Sequence, residues 1–212
     1  YSPDHMQISA INGDSNNPGI AIMKLDGTQT WSIGARQIQE IYWTPQSDSL
    51  IVLMDDMKPQ EQRLYLYSRD GQHRILLSRP EESWVASSIL APGGQGIYYW
   101  SKQGLFSYLN FVTFDGQTRV RLPNTEVSGP NIFNFTFFKD STRAVFMADR
   151  DSDSKFELYV LSLDGRSLLQ INDRYVDYGG VTSFEIINDN EVFFKTAPLN
   201  PFSASLFSWK DQ

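Results

Sequence analysis

At 212 residues, with 41% hydrophobic and 14% aromatic side chains, the chain is long enough to bury a sizeable core as one domain or two. A formal charge of −7, with 18 Lys and Arg scattered singly, argues against nucleic-acid binding through this segment, because phosphate recognition needs clustered cations. The absence of cysteine excludes disulfides, thiolate metal sites and thiol nucleophiles, and no apolar run approaches the roughly 18 residues that cross a bilayer, so no membrane insertion by this segment is expected.

The chain opens on Tyr1-Ser2-Pro3-Asp4, with no initiator Met and no charged-then-apolar leader. A strand led by Ile8 follows, then an apolar run around Ile20, Ile22 and Met23, an Asp26-Gly27 turn, and a run carrying Trp31 and Ile33. The same order returns three times. Asp70-Gly71, Asp115-Gly116 and Asp164-Gly165 follow the first anchor at spacings of 44, 45 and 49 residues, the period of a propeller or another repeat array. Asp-Gly between two strand-like runs is a hairpin signal, because Gly accepts the positive φ that such turns require.

The agreement extends to both sides of each anchor. Six residues before each Asp stand Ile20, Leu64, Leu109 and Leu158; four before stand Ile22, Leu66, Phe111 and Val160. Two before, every copy is polar: Lys24, Ser68, Thr113 and Ser162. Five after stand Trp31, Ile75, Val120 and Leu169, and seven after stand Ile33, Leu77, Leu122 and Ile171. That i, i+2 spacing puts the last two columns on one face of a strand, which we read as a core face. Upstream strands are led by Ile8, Leu50, Ile97 and Ala144, each behind a turn: Tyr1-Ser-Pro-Asp4, Trp43-Thr-Pro-Gln46, Leu90-Ala-Pro-Gly93 and Phe137-Phe-Lys-Asp140. Inner strands lead into those turns at Ile38–Trp43, Trp84–Leu90 and Ile132–Phe137. A fifth copy runs from Phe184–Ile187 through Val192-Phe193-Phe194 to Leu206–Trp209. No window holds a helical apolar stripe. The reading is an all-β chain of about five four-stranded antiparallel blades, first and last incomplete: a single β-propeller domain over 1–212, with repeats at about 1–37, 38–82, 83–128, 129–177 and 178–212, expected to be a segment of a longer protein.

The Ser-Pro-Asp and Thr-Pro-Gln turns, followed by an apolar strand, Asp149-Arg150-Asp151 and Glu157-Leu-Tyr-Val-Leu-Ser-Leu-Asp-Gly165, resemble the TolB-type β-propeller repeat of form W-S-P-D-G, I-A-F, S-D-R-D-G, I-Y-V-M-D-x-D-G. The match covers nearly the whole chain, with the fourth copy most faithful; copy three departs at Ala91-Pro-Gly-Gly94 and copy five lacks the proline. The resemblance implies a non-enzymatic module that recognises a protein, peptide or small-molecule ligand, in the periplasmic part of a bacterial membrane-anchored transcriptional regulator or envelope protein. Absence of Cys fits a cytoplasmic location equally. Similar blades also gate prolyl-oligopeptidase-like peptidases, which gives a second reading in which the catalytic domain lies elsewhere. Such blades are scaffolds for unrelated activities, so the resemblance specifies fold more sharply than function.

Candidate chemistry is sparse. A Ser-His-Asp arrangement has only His5 and His73 to draw on, both in turns, and no G-x-S-x-G elbow occurs, so no catalytic residue is assigned. Asp149, Asp151 and Asp153 alternate as in a calcium loop, but Ser154 and Val160 stand where that loop needs Gly and Glu; they read as a hairpin turn, with no metal or cofactor assigned. Asp26-Gly-Thr-Gln-Thr-Trp31 resembles a sialidase Asp box with its Gly misplaced, and Trp31 reads as core. The sequon Asn134-Phe-Thr136 falls in an inner strand, where no sugar is expected to fit. Trp84, Tyr175 and Tyr178 lie in segments that join one repeat to the next, and these three aromatics are the expected binding residues of a rim, with packing against the adjacent blade as the alternative.

Overall fold

The structure is a computed structural model that describes residues 1–12, 19–34, 37–55, 61–82, 84–128, 132–150, 155–172, 180–197 and 205–211. Every regular element among them is a β-strand. Strands β1 (Gln7–Asn12), β2 (Gly19–Lys24) and β3 (Gln29–Gly34) form the first antiparallel sheet. The second is β4 (Gln37–Trp43), β5 (Ser49–Asp55), β6 (Gln62–Ser68) and β7 (Arg74–Leu76), paired in chain order. The third is β8 (Trp84–Leu90), β9 (Gly96–Gln103), β10 (Phe106–Thr113) and β11 (Arg119–Arg121), with the two-residue β12 (Val127–Ser128) added to β10. The fourth is β13 (Ile132–Phe137), β14 (Arg143–Ala148), β15 (Glu157–Ser162) and β16 (Leu168–Gln170). The fifth is β17 (Val181–Asn188), β18 (Glu191–Thr196) and β19 (Ser205–Lys210). The chain divides into two compact units, Tyr1–Gly104 with Leu109–Arg121, and Leu105–Tyr108 with Leu122–Gln212.

Within the first unit the second sheet is buried on both faces. Leu50, Val52 and Met54 of β5 pack with Ile20, Ile22 and Ile33 of the first sheet, while Ile51 and Leu53 point the other way onto Val85, Ile97, Tyr99 and Val112 of the third. Because side chains alternate along a strand, a strand packed on both faces must be apolar throughout, which accounts for the unbroken run Leu50–Met54, each residue fully buried. In the second unit the fourth and fifth sheets share one core, built from Phe138, Val145, Met147, Leu158, Val160 and Ile171 against Val181, Val192 and Phe194.

The column seven residues after each Asp is core: Ile33, Leu77, Leu122 and Ile171 are all buried. The column five after is not, and the expectation that both lie in the core is corrected. Ile75 is 36% exposed, Val120 46% and Leu169 50%. The outer strands β7, β11 and β16 are only three residues long, so this position sits at the outer edge of its sheet. Ile75 lies against Gly116 and Trp31 against Gly71, each the glycine of the next repeat's turn in the first unit.

A second feature of the turns escaped the sequence reading. The residue that follows each four-residue turn motif lies in the left-handed region: His5 (φ 58°), Ser47 (60°), Gly94 (66°) and Ser141 (58°). A side chain with a Cβ is strained there by roughly 1–2 kcal/mol. Ser141 is exposed, and its hydroxyl makes only a long 3.4 Å contact to the Lys139 carbonyl. Ser141→Gly is therefore expected to stabilise the protein by about 0.5–1 kcal/mol, the relief of strain being partly offset by the freer unfolded chain. Chemical denaturation checks this, and an unchanged or lowered midpoint contradicts it. Ser47→Gly is not equivalent, because the Ser47 hydroxyl accepts the Asp4 N–H at 3.0 Å.

Candidate functional site

The Asp-Gly turns are built alike from short-range polar contacts. In the second repeat, Asp70 Oδ1 accepts the Ser68 hydroxyl (2.6 Å) and the Gln72 N–H (3.0 Å), the Ser68 Oγ accepts the His73 N–H (2.9 Å), and the Gly71 N–H closes onto the Ser68 carbonyl (2.8 Å). The third repeat repeats every bond with Thr113, Asp115, Gly116, Gln117 and Thr118. The polar column two residues before Asp is thus a brace: its hydroxyl donates to the aspartate and accepts from the backbone across the loop. Lys24 breaks the pattern, and there Asp26 accepts the Thr28 backbone N–H (2.8 Å) in a loop one residue shorter. Only glycine adopts positive φ in these turns (84°, 73°, 69° and 74°), so the aspartate stays in ordinary backbone space.

Hydrogen bonds in these turns favour the ionised carboxyls. Hydrogen bonds from Ser68 and Thr113 lower the pKa values of Asp70 and Asp115, and backbone N–H groups lower those of Asp26 and Asp164. The Ser2-Pro3-Asp4 turn uses the same device. Ser2 Oγ donates to Asp4 Oδ1 (2.6 Å) and accepts the Gln7 N–H (3.0 Å), and with the Arg69 guanidinium it brings the Asp4 carboxyl down to about 2.

Asp4 and Arg69 frame a place in the first unit where these turns enclose space. Arg69 Nη1 bonds Asp4 Oδ2 (2.5 Å) and the Ser47 carbonyl (3.1 Å), tying the first repeat's turn to the second's. Trp31 donates its indole N–H to the Arg69 carbonyl at 2.7 Å and stacks on Tyr67. A cleft of about 500 Å3 opens beside this knot, lined by Trp31, Arg69, Asp70 and His73 with Gln7 and Asp48. A second, of about 440 Å3, shares Gln7 and Arg69 and extends past Met6, Lys24 and Leu25. Trp31 is half-buried on the edge of the core rather than inside it, which corrects its reading as a core residue.

Two carboxyls of the first unit have their pKa values raised by desolvation, Glu82 and the half-buried Glu40. Glu82 is fully buried, accepts the Arg79 N–H (2.8 Å) and lies 4.0 Å from Arg121 Nη2; burial raises its pKa. Glu40 of β4 accepts both the N–H (3.1 Å) and hydroxyl (2.6 Å) of Ser88 on β8, and the Tyr42 and Ser88 hydroxyls meet at 2.5 Å. Desolvation outweighs these bonds and raises the Glu40 pKa. A carboxyl raised in the folded state favours folding fully only below its unfolded value near 4.3, and that contribution disappears as pH climbs through the folded pKa. Glu40→Gln, which keeps an acceptor for Ser88, is therefore expected to be more stable than the wild type at pH 7. The advantage should close as pH falls to about 4. Denaturation midpoints at the two pH values check this; a pH-independent difference contradicts it.

Of the residues expected from sequence to bind, Trp84 is the first residue of β8, half-buried and paired with Lys102, at the end of its sheet away from the Ala91–Gly94 turn. The cleft and Trp84 therefore belong to opposite ends of their sheets. Tyr175 and Tyr178 lie outside the described residues, as do Asp151 and Asp153; Asp149 is buried. Among the described residues no group of three or more His, Asp or Glu is placed to hold a metal ion, and no helix is long and apolar enough to cross a membrane. Asn134 is exposed at a bulge in β13 with φ 51°.

No protein-family model and no curated protein matches the sequence. Solved structures do. TolB from Acinetobacter baumannii superposes with a TM-score of 0.58 at 12% identity, covering 96% of this chain and 50% of that one. Oligogalacturonate lyase from Vibrio parahaemolyticus gives 0.61 at 12%, covering 92% and 55%. The β-propeller domain of the Trilobed protease from Pyrococcus furiosus gives 0.56 at 16%, covering 100% and 67%. The chain spans about half the length of the first two, and at these identities the likeness is one of fold. Five successive antiparallel sheets, the repeat that spaces them and these neighbours together give the chain the fold of the TolB-type β-propellers.

Proposed function

We propose that the chain is a non-catalytic recognition module, one propeller domain in the periplasmic part of a bacterial membrane-anchored regulator or envelope protein, which binds its ligand at the rim formed by the turns. The observation that carries this reading is the pair of clefts around Arg69 and Gln7, walled by turns that hydrogen bonds hold in shape without a ligand. A preformed polar concavity on a rigid scaffold is what a binding site needs and loses little entropy on binding. The repeat's resemblance to TolB and the likeness to the TolB fold support the setting. A second reading, an accessory propeller beside a peptidase domain, is favoured by the likeness to the propeller domain of the Trilobed protease.

Thermal shift against panels of small molecules and peptides, followed by mass spectrometry of the hits, tests the first reading. A ligand at ~100 times its Kd adds about 2.7 kcal/mol, or roughly 5–10 °C in Tm for a chain of this size, and is expected to be recovered chemically unchanged. Product formation overturns the non-catalytic reading. Trp84→Ala, made in parallel, is expected to weaken partner binding with the melting curve nearly unmoved if the opposite rim also takes part; a lowered Tm alone makes Trp84 a packing residue.

A further inference from the structure

The two clefts have a chemistry that narrows what can occupy them. Charges of both signs share one wall: Arg69 lies among Asp4, Asp48 and Asp70, and Lys24 beside Asp26. A net anion meets the carboxylates, and a net cation meets the guanidinium. Unused hydrogen-bonding capacity is also of both kinds. Arg69 donates to Asp4 and Ser47 through Nη1, and no hydrogen bond from its Nε or Nη2, or involving the His73 ring, occurs among the described residues. Gln7 is 8% exposed, lines both clefts, and its Oε1 is buried without a hydrogen-bond partner. Such an orphaned acceptor costs about 1–3 kcal/mol until a donor reaches it. Trp31 adds an indole edge, whose amphipathic ring suits a ligand with both C–H faces and hydroxyls.

We infer that the paired clefts bind a neutral saccharide spanning two sugar rings. Hydroxyls donate and accept from the same atom, so they can satisfy Gln7 Oε1, Asp48 and Asp70 as donors and Arg69 and His73 as acceptors. They bring no net charge against a wall of mixed sign. Both cavities fall within the size range of small-molecule sites. Because they share Gln7 and Arg69, a linked pair of rings can follow them from one to the other. This inference rests on the recognition reading above and names the class of ligand for it.

Calorimetric titration of the whole chain with maltose, cellobiose and lactose tests it, with digalacturonate and a lysine-rich peptide as charged comparisons. At least one neutral disaccharide is expected to bind saturably with a Kd on the order of 1 mM or tighter. His73→Ala is expected to weaken that binding about tenfold, the effect of losing one polar contact worth ~1.4 kcal/mol, with an unchanged melting curve. Asp48→Asn, which keeps an oxygen for the Thr44 hydroxyl, is expected to shift preference toward digalacturonate. No saturable binding of any of the three sugars overturns the inference. So does tighter binding of either charged probe to the wild type, or sugar binding that His73→Ala and Asp48→Asn both leave untouched. If a peptide binds and no sugar does, the saccharide class falls and the recognition reading stands; if a sugar binds and is cleaved, the reverse holds.

Discussion

Replacing Phe194 with alanine is expected to destabilise the protein by about 3–5 kcal/mol, a large part of the ~5–15 kcal/mol that holds a domain folded. The ring is 1% exposed at the centre of β18 and sits in a cluster that the fourth and fifth sheets share, with Phe138, Val145, Met147 and Leu158. Phe207 on β19 lies 5.7 Å away, ring centre to ring centre. Removing the ring opens a cavity whose walls belong to two sheets, each pinned by its own backbone pairing, so collapse onto the void is limited and the cost stays high. Leu169→Ala supplies the contrast. Its side chain is apolar and occupies a regular repeat column, yet it is half in solvent, and its truncation is expected to cost less than about 1 kcal/mol. Urea denaturation of the two variants reads both numbers. Equal losses would mean that sheets four and five do not share a core.

Gly96→Ala is expected to cost about 2–3 kcal/mol, through overpacking rather than lost contacts. A Cβ on Gly96, the first residue of β9, would stand 2.3 Å from the Val112 carbonyl oxygen and 2.9 Å from the Phe111 ring. The obstructing oxygen is backbone, so relief requires β9 and β10 to part. Gly27→Ala separates this effect from conformational strain. Gly27 has φ +84° with nothing within 4 Å of a built Cβ, so its variant bears only the left-handed penalty of roughly 1–2 kcal/mol. If Gly96→Ala proves milder than Gly27→Ala, the close approach of the strands at Gly96 is not what the structure describes.

The repeat and its strands were legible because two physical constraints write directly into the sequence. A strand covered on both faces must be apolar throughout, as at Leu50–Met54 and Ile97–Trp100, and a hairpin that needs one left-handed residue shows it as glycine. The hydroxyl column at Ser68, Thr113 and Ser162 was visible as polarity, but polarity before a turn also suits plain solvent exposure, so its bracing role was hidden. The outward position of Ile75, Val120 and Leu169 was hidden for a related reason: period-two spacing assigns a face but not how far along that face the next sheet reaches. The clefts were illegible altogether. Asp4 and Arg69 are 65 residues apart, and Gln7, Asp48 and His73 each look like an ordinary turn residue in a different part of the chain. Only the stacking of one repeat's turn on the next brings them to one wall. Trp84, Tyr175 and Tyr178 stand out in the sequence by residue type, which carries no information about which end of a sheet is concave.

Three of the four bends keep their shape through a hydroxyl, an aspartate and a glycine, while the side chains at the positions between and beside them differ from copy to copy. Leu25, Arg69, Phe114 and Leu163 occupy one such position, and Thr28, Gln72, Gln117 and Arg166 another. Natural variation can therefore rewrite the chemistry presented along this border while the architecture beneath is conserved. A lineage carrying this fold can change what it recognises by single substitutions, with no need to rebuild the protein that displays them.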